Sequence, residues 1–149
     1  MMTRILFLAL GMLTMSATAK TVELCIADHP YKITVEVSDN WESRARGLMG
    51  RDSLAEHAGM WFVYDEERPG SSGFWMYNTR IPLDIAYLNE AMEIVAIMTM
   101  EPCPSIIPEN CPSYRPEVSY HSAIELNKDY FKRYDIGLGR QFKRCEQGE

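Results

Sequence analysis

The stretch LDIAYLNEAMEIVAIMTM, residues 83–100, holds two apolar arms around the polar tripeptide Asn89-Glu90-Ala91. Two strand-length apolar runs joined by a short polar link read as a β-hairpin, with arms at 83–88 and 92–100. Upstream, the segment GFWMYNTRIPLD (73–84) leads into the first arm. Its Phe74-Trp75-Met76 reads as a short strand, and Pro82 holds Ile81 in extended geometry on entry to the hairpin. Downstream, residues 101–116 contain five prolines and cannot form a central strand.

The rest of the chain continues the pattern of alternation. Val22-Glu23-Leu24-Cys25-Ile26 alternates, Asp28-His29-Pro30 supplies a turn, and Ile33, Val35 and Val37 then share a face opposite Lys32, Thr34 and Glu36. A short helix follows, capped by Asp39 with Glu42 three residues on and ended by Gly47. Residues 59–64 are large and strand-prone, and 65–72, with Pro69-Gly70, read as a loop. A strand at 122–126, a helical turn at 129–134 and a last strand near Phe142 complete the order. The expected fold is mainly β: a single compact barrel or sandwich-like domain whose exposed edges are covered by short helices.

The N-terminus reads as a leader. Arg4 precedes an apolar run at 5–12, and Ala17-Thr18-Ala19 has the small-x-small form of a secretory cleavage site. The apolar run is too short to span a bilayer. The expectation is a signal peptide at 1–19 and one domain at 20–149, exported to the periplasm or beyond, without a transmembrane segment after cleavage. Arg4 is the leader's one charged residue, so its removal takes the formal charge from −6 to −7. That acidity argues against phosphate-backbone binding and so against a nucleic-acid partner. The basic clusters at Arg44, Arg46 and Arg51, and around Lys128 to Arg144, balance an acidic remainder.

Four cysteines follow the leader. In an oxidising compartment an even count favours pairing. Cys103 and Cys111 bracket a Pro-containing loop, whose closure is worth about 2.5 kcal/mol in the chain-entropy picture. Cys25 and Cys145 are then left to pin the two ends. The rival reading, a zinc site, lacks the usual short C-x-x-C spacing.

Three segments, ESRARGLMGRDSL (42–54), GMWFVYD (59–65) and FWMYNTRIPLDIAYLN (74–89), resemble the DUF192 (UPF0127) family of small, uncharacterised, often exported proteins. The later PCPSIIPENCPSY (102–114), SAIELN (122–127) and the glycine-containing stretch at 135–139 continue the resemblance in the same order. It runs from about Val22 to Cys145. It implies a compact β fold and carries no activity with it.

Within these segments several side chains are candidates for function. Arg46 can pair with Asp84 to fasten helix to sheet, or can bind an anionic ligand. Trp75 is either a core plate or the wall of a cleft whose polar edge is Asn78 and Thr79; those two also suit an Asx-type turn. Asp84 interrupts an apolar strand and must find a partner or shift its pKa, which makes it a candidate base, with His57 a further acid/base candidate on an exposed, helix-like stretch. No G-x-S-x-G elbow, HxH or H-E-x-x-H spacing is present. Met92, Met98 and Met100 raise a copper reading through soft thioethers, against which stands their position inside an apolar hairpin. No metal or cofactor is assigned. The preferred reading is a non-catalytic exported binding or envelope accessory domain for a small polar ligand or protein partner, built on Arg46, Trp75, Asn78, Thr79 and Asp84. A small hydrolase using Asp84 and Arg46 is the alternative, and copper handling a further one.

Overall fold

The computed structural model describes residues 20–146, so the signal peptide expected at 1–19 lies outside the described residues. The strands are β1 (Thr21–Ile26), β2 (Ile33–Ser38), β3 (Ala58–Arg68), β4 (Phe74–Trp75), β5 (Leu83–Leu88), β6 (Ile94–Met100), β7 (Ser113–Tyr114), β8 (Tyr120–Asn127) and β9 (Phe142–Arg144). Two short helices, α1 (Trp41–Arg46) and α2 (Tyr130–Arg133), complete the set, with a single 3-10 turn at Pro108–Asn110.

Seven strands form one sheet in the order β6-β5-β8-β3-β2-β1-β9, while β4 and β7 pair separately. Neighbours in the large sheet are antiparallel except β2 and β3. A parallel pair needs a crossover connection, and here it consists of α1 and the turns that follow it. The sheet curls into a half-barrel until its outermost strands approach. Glu93 bridges Gln141, Ile94 N–H donates to the Arg140 carbonyl at 2.9 Å, and Phe142 N–H donates to the Met92 carbonyl at 3.0 Å. Contact at the two edges leaves fewer open backbone groups for strand addition.

The curl gives the molecule two cores. The concave one draws on all seven strands, through residues such as Leu24, Ile33, Trp61, Leu88, Ile94, Ile124 and Phe142, and is plugged by Tyr130 and Phe131 of α2. The convex one contains Met60, Phe62, Leu83, Ile85, Tyr87, Met100 and Ala123. It is covered by Leu48 after α1, by Met76 and by the β4–β7 layer. Phe62 meets Phe74 edge-on at 4.9 Å, and Tyr87 meets Tyr120 at 4.9 Å. The Tyr87 hydroxyl donates to the Tyr114 carbonyl at 2.6 Å and the Tyr120 hydroxyl to the Ser72 carbonyl at 3.1 Å. Aromatic bodies therefore fill the convex core while their hydroxyls tie the covering layer down. Every residue of β5 is buried, because that strand is sandwiched between the two cores.

Both expected cysteine pairs are bonded. Cys25–Cys145 has a Cα separation of 5.1 Å and Cys103–Cys111 one of 5.6 Å. The first closes a span of 120 residues, which the chain-entropy picture values at about 5 kcal/mol.

Several local expectations need correction. The cap of α1 is Asn40, not Asp39: its side chain accepts from Ser43 N–H at 3.0 Å, and Ser43, not Glu42, completes the capping box. Residues 65–68 extend β3 where a loop was expected, with a register shift between Val63 and Arg68. The stretch 53–58, expected to be helix-like, is irregular at 53–55, turns at 56–57 and enters β3 at Ala58. His57, expected on the surface, is half buried, stacked on Tyr31 at 4.2 Å and 2.9 Å from the Tyr130 hydroxyl.

Candidate functional site

The Met76-Tyr77-Asn78-Thr79 segment turns tightly, Thr79 N–H donating to the Met76 carbonyl at 3.1 Å. Asn78 has φ 54°, a left-handed conformation that asparagine tolerates better than most side chains. Facing it is the turn after α1, where Gly47 and Gly50 have φ of 49° and 75°, values that suit glycine. Gly50 N–H donates to the Asn78 carbonyl at 2.9 Å and joins the two turns.

Between these turns and the disulfide-closed loop lies a groove of about 690 Å³, lined by Met49, Gly50, Asn78, Thr79, Arg80 and residues 102–106. Its rims are braced by the Gly50–Asn78 hydrogen bond on one side and by Cys103–Cys111 on the other. Arg80 is held by Asp52 at 2.8 Å at an exposed position. The Asn78 side chain makes no hydrogen bond among the described residues, whereas the buried Thr79 hydroxyl makes only a long one, 3.4 Å, to the Tyr77 carbonyl.

Next to the groove, and sharing Met49 and Thr79 with it, is a small cavity of about 30 Å³. Phe62, Phe74, Trp75 and Glu125 contribute to its wall. Glu125 comes from β8, flanked by Met60 of β3 and Ile85 of β5 in register. It is 4% exposed and has no side-chain hydrogen bond among the described residues. Burial alone pushes its carboxyl pKa up to about 8, because a charge in that apolar setting forgoes its hydration without compensation.

The side chains singled out from sequence divide between separate places. Asn78 and Thr79 line the groove, Thr79 and Trp75 the cavity, and Trp75 is 46% exposed. Its ring is a wall, not a core plate. Arg46 also borders the cavity, but its guanidinium is paired with Glu42 at 2.7 Å in solvent. Asp84 lies on the opposite face of β5, buried, and accepts from the Thr99 hydroxyl at 2.8 Å. Burial raises its pKa, and the Thr99 bond together with the Asp129 and Phe131 backbone N–H groups at the start of α2 pulls it back. Asp84 and Arg46 therefore do not meet, and His57 is engaged in the aromatic cluster around Tyr130. Met92 packs against the concave core while Met98 and Met100 belong to the convex one.

Glu125 is the residue that sequence reasoning overlooks. In YHSAIELN it sits at a polar-looking position of an alternating strand, which reads as a solvated face. The available signal was that the strands beside it, MWFVY (60–64) and LDIAYL (83–88), are apolar on both faces apart from Asp84.

Comparison with known proteins fits this architecture. The DUF192 model, described as "Uncharacterized ACR, COG1430", matches residues 22–143. The chain belongs to the DUF192 family. A crystal structure of a proposed transcription regulator from Sinorhizobium meliloti is similar to this DUF192 chain at 25% identity, with a TM-score of 0.74 over 87% of this chain and 97% of that one. A protein of unknown function from Novosphingobium aromaticivorans is similar at 22% identity and a TM-score of 0.65, over 83% and 84% of the two chains, and shares the fold. Comparison with curated proteins gave no match.

Proposed function

We propose that this DUF192 protein is a non-catalytic binding domain that takes a small polar ligand in the groove between the Asn78 turn, the Met49-Gly50 turn and the 102–106 loop. The observation that carries the reading is a groove of about 690 Å³, within the usual range for small-molecule sites, whose rims are fixed before any ligand arrives. Preformed rims reduce the ordering cost of binding. The unengaged Asn78 amide offers both donors and an acceptor to a polar ligand.

Two paired disulfides favour an oxidising compartment, and we place the protein outside the cytoplasm on that ground together with the leader-like sequence at 1–19. The hydrolase reading called for Asp84 and Arg46 in one cavity, and their separation removes its support. Transcription regulation, the role proposed for the Sinorhizobium protein, is not extended to this chain, because a formal charge of −6 opposes a nucleic-acid backbone.

The test uses the isotope-labelled, disulfide-intact protein and a fixed panel of amino acids and monosaccharides. Saturable amide shifts are expected at Gly50, Asn78, Thr79, Arg80 and Ser105 with at least one panel member. The substitution Asn78→Gly keeps the left-handed turn while deleting the amide, and should weaken that binding about tenfold or more, the worth of one or two hydrogen bonds. Shifts confined to other surfaces, or full affinity in the Asn78→Gly protein, would overturn the reading.

A further inference from the structure

The Glu125 cavity has a chemistry distinct from that of the groove next to it. Its single acidic group is 4% exposed and unpartnered, and its volume of about 30 Å³ holds one or two water-sized groups. Two cations border it, yet neither answers the carboxyl. The Arg44 guanidinium donates to the Val63 carbonyl at 2.8 Å and lies 5.0 Å from the centre of the Tyr64 ring, while Arg46 is paired with Glu42. The remaining wall includes three aromatic rings.

We propose that this cavity receives the ammonium end of a primary-amine ligand, with Glu125 as counter-charge and Phe62, Phe74 and Trp75 as its aromatic wall. The inference rests on the groove reading for the body of the ligand, since Met49 and Thr79 line both spaces and so set the cavity next to the groove. Three features select the class. A carboxylate desolvated in apolar surroundings gains far more from a cation than from a neutral donor, because the attraction acts at low dielectric. Aromatic faces attract cations through the ring quadrupole. The small volume admits an ammonium head and excludes a quaternary one.

Binding of a cation must compete with protonation of Glu125. Among the described residues Tyr87 of β5 is the other titratable group whose charge senses Glu125, and the charged groups of α1 that border the cavity are Arg44 and Arg46. With the carboxyl titrating at about 8 and a primary amine near 10, apparent affinity for the amine should be about 50-fold weaker at pH 6 than at pH 8.

The experiment titrates n-propylammonium chloride into the full, disulfide-intact protein at both pH values, following the Glu125 side-chain carboxyl and the Phe74, Trp75 and Thr79 signals. 1-Propanol and tetramethylammonium are the controls. Expected are saturable shifts with n-propylammonium alone, the pH dependence just given, and at least a tenfold loss with no remaining pH dependence in Glu125→Gln, which is isosteric. Equal binding of 1-propanol, undiminished binding in Glu125→Gln, or no binding at pH 8 by wild-type protein whose spectrum shows it folded would each overturn the proposal. Failure here alongside panel shifts at Asn78 and Arg80 removes the amine site and leaves the groove. Amine binding at Glu125 without any panel shift removes the groove reading and leaves the cavity.

Discussion

Asp84 and Glu125 sit on adjacent central strands, each buried to within a few per cent, and the fold treats them in opposite ways. Asp84 faces the concave side, where the Thr99 hydroxyl and the backbone N–H groups beginning α2 receive its charge. Glu125 faces the convex side, where apolar neighbours and an aromatic-walled cavity offer it nothing. Burial alone, then, does not mark a functional carboxylate. Asp84 fastens a helix to a sheet; Glu125 is a buried acid for which the fold supplies no partner, and partnerless buried polar groups are where ligands are sought.

The largest effect expected from this contrast is a dependence of stability on pH. Glu125 has a folded-state pKa of about 8 against roughly 4.3 for an unperturbed glutamate. Between those values the folded state holds a proton that the unfolded state has lost, so stability falls as pH rises through this window and levels off above pH 8. The full fall is on the order of 5 kcal/mol. Denaturant unfolding from pH 4.5 to 8.5 should show most of it in the wild-type protein and little in Glu125→Gln. Similar slopes for the two proteins would undo the contrast from the Glu125 side.

Asp84→Ala probes the other member. It strands the Thr99 hydroxyl and the N–H groups at the start of α2, and should cost about 3 kcal/mol at neutral pH. Glu125→Gln, measured beside it, should leave stability unchanged or raise it at that pH. A cost below about 1 kcal/mol for Asp84→Ala would mean that the concave face does not depend on its carboxylate.

Much of the fold was legible because its signals are local. The hairpin around Asn89-Glu90-Ala91, the alternation at 33–37 and the cysteine spacing each needed no knowledge of the other strands. The cap of α1 slipped by one position because Asp39 and Asn40 are both capable caps, and Ser43 decides between them only through the capping box it forms. The extension of β3 through Asp65 and Arg68 was hidden because its outer end is exposed and carries the charges of a loop. The groove was half legible: Asn78 and Thr79 stood out beside Trp75, whereas the part played by residues 102–106 follows from the tertiary placement of the disulfide loop. The proposed pairing of Arg46 with Asp84 failed for a similar reason. Alternation places residues on faces of a strand, but it does not say which face a distant helix will cover. That ambiguity also concealed Glu125, whose polar position in β8 faces a second layer made from α1, β4 and β7 rather than water.

The decisive experiment for the unpartnered acid is the titration of the Glu125 side-chain carboxyl, read by carbon-13 NMR in the intact protein without added ligand. A midpoint near pH 8 is expected, with Asp84 titrating separately. A Glu125 midpoint near the ordinary glutamate value of about 4.3 would mean that the carboxyl already has partners or water, and would contradict both the unpartnered acid and the amine site built on it.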